Sequence, residues 1–164
     1  MKKALLVIDI QNDYFPGGRM PLWNTEQTLK NIERVIKKAN ENNVPVIHVQ
    51  HVANGGDIND KGAQIHPRIL ELAPNGKRVV KHYADSFYET NLEDILSELE
   101  IEELIVCGMM TQNCVTHTAI SKSAEKYEVR IIPECCTTVN EMIHMIALDA
   151  VSTRIKFISI DEAI

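Results

Sequence analysis

Long apolar runs, an excess of basic charge and repeated or low-complexity segments are all missing from this 164-residue sequence. No apolar run approaches the roughly 18 to 20 residues that cross a bilayer. The apolar stretch after Met1 is interrupted at Asp9, and no cleavage site of small residues follows, so we interpret it as a first strand and not as a signal peptide. We therefore expect a cytoplasmic protein with no membrane partner. The net charge of −6, with scattered lysines and arginines, argues against a nucleic-acid partner.

The four cysteines lack a C-x-x-C pair, so the sequence signals neither a zinc site nor a thioredoxin-type redox pair. A chain of this length buries enough apolar surface to fold without disulfides. We therefore predict that Cys107, Cys135 and Cys136 are structural thiols. Cys114 is the exception, because of where it lies along the chain.

Short apolar segments alternate with amphipathic ones throughout the sequence. Helical spacing predicts helices over residues 25–41, 90–99, 115–127 and 140–154. Apolar segments predict six strands. The first begins at residue 4, and the other five cover residues 44–52, 79–81, 104–107, 129–133 and 155–160. Strands that alternate with helices indicate a parallel sheet covered on both faces. We expect an α/β fold of the Rossmann-like kind, a three-layer α/β/α sandwich with a six-stranded parallel sheet, in a single domain over residues 1–164.

Three predicted strands each end close to a chemically reactive side chain, namely Asp9, Lys81 and Cys114. The carboxyl ends of strands in an open parallel sheet are where ligands usually bind. Cys114 also lies between a strand and the predicted helix 115–127. Free N–H groups at a helix N-terminus stabilise negative charge, so we expect the Cys114 thiol to be drawn towards thiolate.

Three short motifs contain these residues. They are Asp-x-Gln-Asn-Asp at residues 9–13, Lys81 with Ser-Phe at residues 86–87, and Gly-x-x-Thr-x-x-Cys-Val at residues 108–115. Each is weak alone, but in this order they resemble the isochorismatase-like cysteine hydrolase superfamily over essentially the whole chain. The resemblance implies strand order 3-2-1-4-5-6 and an Asp-Lys-Cys catalytic triad. It also implies a homodimer or homotetramer.

Carried onto this chain, the resemblance makes Cys114 the nucleophile, Asp9 the base and Lys81 the cation beside both. An acyl-transfer intermediate needs donors for its oxyanion. The N–H of Cys114 is one. The resemblance implies that a cis peptide between Met109 and Met110 directs a second donor, the Met110 N–H, into the site. We expect the Thr111 hydroxyl to brace this turn.

Aromatic side chains flank the predicted crevice and indicate a small, flat or partly apolar substrate. We assign the pocket to Phe15, Trp23, Phe87 and Tyr88, and Tyr14 lies beside them in the sequence.

A metal-binding branch of the superfamily, the nicotinamidases, carries an Asp-x-His pair near the second strand. This sequence has His48 and His51 there, and residues three apart on a strand point to opposite faces. We therefore expect no metal and no other cofactor. Asp57 and Asp60 lie in the loop that follows and leave the metal alternative open.

The favoured function is a cysteine hydrolase that cleaves a C–N bond of a small amide through a thioester. The alternatives are an isochorismatase-type vinyl-ether hydrolase, a metal-dependent nicotinamidase, and a non-catalytic α/β binding module. A dinucleotide-binding site is disfavoured because no G-x-G-x-x-G follows the first strand.

Overall fold

A computed structural model describes all 164 residues, and six parallel strands form one sheet in the order β3-β2-β1-β4-β5-β6. The strands are β1 (Lys3–Ile8), β2 (Val46–His51), β3 (Lys77–Lys81), β4 (Glu103–Met109), β5 (Glu128–Thr137) and β6 (Lys156–Phe157). The predicted sheet, its parallel sense and its strand order are confirmed.

Helices connect the strands and cover the sheet. They are α1 (Thr25–Glu41), α2 (Pro67–Leu72), α3 (Leu92–Glu98), α4 (Thr116–Ala119), α5 (Glu141–Val151) and α6 (Ile160–Ala163). Short 3-10 helices cover Asn12–Tyr14 and Lys122–Lys126, and a π-helical turn covers Thr111–Val115. None of the helices combines the length and the apolar composition needed to span a bilayer.

The core is divided by the sheet into two apolar layers, because successive strand residues point to opposite faces. On β1, Leu6 and Ile8 belong to one layer, while Leu5 and Val7 belong to the other. The first layer is completed by the apolar faces of α3 and α5, and the second by those of α1 and α6. The strands are therefore buried on both faces, as in other parallel sheets.

The helix predicted over residues 115–127 is wrong as a single element. The segment contains the end of the π-helical turn, the four-residue helix α4 and the 3-10 helix Lys122–Lys126. Thr118 Oγ1 accepts a hydrogen bond from Ser86 N and donates one to Ser86 Oγ, and Ser121 Oγ donates to Asp85. Side-chain hydrogen bonds of this kind compete with a continuous helix.

The last two strands also differ from the prediction. β5 continues beyond Pro133 to Thr137, and β6 is only two residues long. Ile131 pairs with Val106 while Cys136 pairs with Gly108, so β5 bulges between these pairs. The bulge contains Pro133, which has no N–H to give to a regular ladder.

Candidate active site

The ends of β1, β3 and β4 deliver the predicted triad to the carboxyl edge of the sheet, with β2 lying between β3 and β1. Asp9 follows β1 directly with φ 54°, Lys81 is the last residue of β3, and Cys114 lies in the π-helical turn after β4. β4 lies close against β1 at Gly108, where φ is 128° and an added Cβ would meet the Ile8 carbonyl oxygen at 2.1 Å. Only glycine fits this close approach.

The Lys81 ammonium lies between the other two members of the triad. Its Nζ is 3.1 Å from Asp9 Oδ2 and donates to Cys114 Sγ at 3.2 Å. Asp9 and Lys81 have no exposed surface, and Cys114 is 3% exposed. The structure thus brings together the three residues that the sequence pattern singles out.

Two further groups contact the ammonium, and sequence reasoning missed both. Lys81 Nζ lies 2.9 Å from His51 Nδ1 and donates to the Tyr83 carbonyl at 2.9 Å. His51 pairs with Lys81 in the β2–β3 register, so the two side chains share a face of the sheet. The strand register is what identifies His51 as a neighbour of Lys81, and it can be read from the sequence only after β2 and β3 have been aligned.

Burial controls the electrostatics of the triad. Burial raises the pKa of Asp9 above its ordinary value, and the positive charge of Lys81 opposes this shift. Burial, together with the negative charge of Asp9, raises the pKa of the Cys114 thiol to about 12. The expectation that a helix start draws Cys114 towards thiolate is therefore wrong. Cys114 lies in a π-helical turn ahead of the four-residue α4, and desolvation outweighs the attraction of Lys81.

A neutral resting thiol needs a base, and Asp9 is available for that role. Both of its carboxylate oxygens are buried, and neither accepts a hydrogen bond of regular geometry. The positive charge of Lys81 favours the charged carboxylate, and no regular hydrogen bond occupies the lone pairs that would take a proton.

The turn between β4 and Cys114 contains the predicted oxyanion donors. The Met109–Met110 peptide bond is cis, as the resemblance implies. The Met110 N–H donates to no acceptor within the protein, whereas the Met110 carbonyl accepts from Asn113 N and Val115 N. An N–H without an internal partner is free for a ligand oxygen. The roles of Met110 and Cys114 as oxyanion donors stay predictions.

Thr111 does brace the turn, through a residue that sequence reasoning missed. Its hydroxyl Oγ1 lies 2.8 Å from His144 Nδ1, and both residues are buried. His144 is on the inward face of α5, where it shares helical spacing with Ala147, Leu148 and Val151. The pattern of α5 indicates a buried position there but not its hydrogen-bond partner.

The four predicted pocket aromatics lie in different surroundings. Phe15 and Phe87 are buried, with Phe15 packed against His66 and Phe87 stacked on Tyr127. Trp23 packs beside His144, and Tyr88 is 53% exposed against Tyr83. Contact of any of the four with substrate stays a prediction.

A cavity of about 510 Å³ lies next to His51, and none of the three triad residues lines it. His51, which contacts Lys81, lines it together with Gln11 and Tyr14. Burial and the nearby charges of Asp9 and Cys114 raise the pKa of Tyr14, which fits its position between cavity and triad. The cavity's far side carries Arg19 paired to Asp13 and Asp60.

Asp9, His51 and Cys114 offer three potential metal ligands whose donor atoms lie within 4.8 Å of one another. The Lys81 ammonium lies against all three side chains, and its charge opposes a cation at the same place. His48 does not join them, because its Nε2 lies 2.8 Å from the Ala73 carbonyl. Asp60 pairs with Arg19 instead.

Comparison with known proteins identifies the family. The Isochorismatase domain family matches residues 3–161, and the chain belongs to that family of isochorismatase-like hydrolases. It is 37% identical over 148 residues to the uncharacterized isochorismatase family protein YddQ of Bacillus subtilis, covering 87% of this chain and 82% of the relative. It is 27% identical over 179 residues to the nicotinamidase of Escherichia coli, covering 84% of each chain.

A solved structure shows the same fold. The putative isochorismatase hydrolase from Oleispira antarctica superposes with a TM-score of 0.86 at 31% identity, covering 98% of this chain and 95% of that one.

Proposed function

We propose that this protein is a cysteine hydrolase that cleaves a C–N bond of a small amide through a thioester on Cys114. The observation that carries the proposal is the buried Lys81 ammonium in contact with both Asp9 and Cys114. A buried ion pair is costly to desolvate and adds little to stability by itself. A thiol held beside such a pair is the arrangement that nucleophilic catalysis requires.

In the first half of the reaction, Asp9 takes the Cys114 proton while Sγ attacks the carbonyl carbon. The C=O π pair moves to oxygen, where the N–H groups of Met110 and Cys114 stabilise the negative charge. Lys81 stabilises the developing thiolate, and this is needed because burial and the negative charge of Asp9 both raise the pKa of the thiol. Collapse of the intermediate breaks the C–N bond, and protonated Asp9 gives its proton to the leaving amine.

In the second half, water replaces the amine. Asp9, again a carboxylate, takes a proton from the water as its oxygen attacks the thioester carbon. The C–S bond breaks, the acid product leaves, and the proton on Asp9 returns to Cys114. The cycle consumes one water and needs no group beyond the chain's own residues.

The amide assignment is supported by the relatives, one of which is a nicotinamidase. An isochorismatase-type vinyl-ether hydrolysis does not need a thiol, so the buried contact between Cys114 and Lys81 favours the amide reaction over it. A non-catalytic binding module would leave the buried charges of Asp9 and Lys81 without a use.

The test is an assay of ammonia or amine release from a panel of small amides that includes nicotinamide. We expect Cys114→Ala to lower turnover to background while the melting temperature stays close to wild type, because the change is small. Cys107→Ala is the matched control, since Cys107 is buried in β4 away from the triad. Preserved turnover in the Cys114 variant would contradict the proposal. The same assay after dialysis against a chelator tests the metal-dependent alternative, which requires lost activity that the ion restores.

A further inference from the structure

The Lys81 ammonium has more acceptors around it than protons to give. Four atoms lie within 3.2 Å of Nζ: His51 Nδ1, the Tyr83 carbonyl oxygen, Asp9 Oδ2 and Cys114 Sγ. An ammonium carries three N–H donors and no acceptor. The two shortest contacts, at 2.9 Å each, go to His51 and Tyr83. One proton therefore remains to be shared between Asp9 and Cys114.

The contact with Lys81 also determines the tautomer of the His51 imidazole. Because the ammonium only donates, His51 Nδ1 has to accept, and the ring proton lies on Nε2. Burial and the neighbouring positive charge of Lys81 both lower the pKa of His51, which favours the neutral ring. Neutral His51 is thus an acceptor aimed at the triad's cation.

Gln11 holds His51 in place from the opposite side. Gln11 Oε1 accepts from His51 N at 2.8 Å, and Gln11 Nε2 donates to the His51 carbonyl at 2.8 Å. Gln11 is 5% exposed and follows Asp9 by two residues. A paired amide at a strand end fixes the backbone from which the imidazole reaches Lys81.

We propose that His51 is a positioning residue, whose Nδ1 takes one proton of the Lys81 ammonium and so keeps Nζ between Asp9 and Cys114. The inference rests on the proposed function, because it assigns His51 to that same site. Without His51, the freed N–H turns towards the carboxylate, since charge-assisted hydrogen bonds are stronger than bonds to a neutral thiol. The ammonium then stabilises the Cys114 thiolate less.

The experiment measures alkylation of Cys114 by iodoacetamide, mapped by mass spectrometry, because this rate reports thiolate formation without a substrate. The variants are His51→Ala, His51→Asn and His51→Gln. Asparagine offers an acceptor near the Nδ1 position, whereas the glutamine amide reaches the Nε2 position. His82→Asn is the matched control, since the neighbouring His82 is exposed and contacts the Val52 carbonyl at 2.7 Å.

We expect the Ala and Gln variants to react about tenfold more slowly at Cys114, as for the loss of one hydrogen bond to a charged group. The Asn variant and the His82 control should stay within about twofold of wild type. Equal rates in all variants, or equal losses in the Asn and Gln variants, would overturn the inference. Failure of wild-type Cys114 to react faster than the other thiols would instead overturn the proposed function.

A second measurement needs no variant and covers the case in which the substitutions unfold the protein. ¹⁵N NMR of histidine-labelled wild-type protein distinguishes a bare Nδ1 from a protonated one. The expected result is a neutral His51 with the proton on Nε2. A proton on Nδ1, or a doubly protonated ring at neutral pH, would overturn the inference.

Discussion

The two ends of the sheet each carry a cavity, and they differ in what surrounds it. The amino end has the larger one, about 640 Å³, lined by residues that include Lys2, Asn43 and Ile164. One of its two lysines, Lys2, is exposed and pairs with the exposed Glu100. The carboxyl end has a smaller cavity of about 510 Å³, lined by His51, which contacts the fully buried Lys81–Asp9 ion pair through Lys81. Buried charge, and not cavity volume, distinguishes the end where chemistry is proposed.

A lysine–carboxylate pair therefore has different consequences at the two ends of the sheet. An exposed lysine–carboxylate pair is screened by water and adds little to stability. The Lys81–Asp9 pair is out of water, where desolvation is expensive and the remaining attraction is strong. Burial raises the pKa of the neighbouring Cys114 thiol, and the two charges of the pair act on it in opposite directions: Asp9 raises the pKa and Lys81 lowers it.

The largest effect is expected where the buried pair is broken. Asp9→Asn and Lys81→Met should each lower turnover by at least about 10²-fold, because one removes the base and the other the stabilising cation. Because Asp9 and Lys81 act as one unit, the losses of turnover in the two single variants should be far from additive in the double variant. Lys2→Met, at the other end of the sheet, is the control and should leave turnover unchanged.

Steady-state kinetics of the four variants decide this point. A double variant no slower than the slower single variant supports the unit. Single variants near the wild-type rate, or losses that multiply, would count against it.

The close approach of β1 and β4 predicts a second large effect, on stability. Gly108→Ala should lower the free energy of unfolding by about 3 kcal/mol or more, because its Cβ would collide with the Ile8 carbonyl at a positive φ. Gly55→Ala is the matched change, since Gly55 also has positive φ but nothing lies within 4 Å of the added Cβ. It should cost about 1 kcal/mol. Equal denaturation midpoints for the two variants would show that the approach is looser than described.

The smallest effect concerns pH. The reaction needs ionised Asp9, and burial raises its pKa, so activity should fall on acidification at a higher pH than for an ordinary carboxylate. Lys81 opposes that shift. In Lys81→Met, the residual activity should therefore fall on acidification at a still higher pH than in wild type. Lys2→Met should leave the limb in place. An acid limb that moves to lower pH in Lys81→Met would contradict this assignment of the base.

Much of the carboxyl end could be predicted from the sequence, because strand ends are readable from apolar runs. Asp9 and Lys81 each follow such a run, and parallel strands bring their carboxyl ends to one edge. Cys114 was recognised from its motif, but its ionisation was not, because burial depends on the packed structure. The prediction used the helix dipole and omitted desolvation, which is the larger effect here.

The missed residues depend on contacts between distant segments. The sequence presents His51 only as a possible metal ligand, because its contact with Lys81 depends on how β2 and β3 are aligned. His144 contacts Thr111, which lies 33 residues earlier in the sequence, and no local sequence pattern predicts such a contact. The predicted helix 115–127 failed for the same reason, since Thr118 and Ser121 form side-chain bonds to the segment around Asp85 and Ser86.

The central claim is that one of four buried thiols is activated by its place beside Asp9 and Lys81. All four cysteines are free, and burial raises the pKa of each. The most direct measurement is their relative rate of iodoacetamide modification at neutral pH in the folded wild type and in Lys81→Met. The account predicts that Cys114 reacts first in wild type and loses that lead when the ammonium is removed. Faster reaction at Cys107, Cys135 or Cys136, or an undiminished lead for Cys114 without Lys81, would contradict it.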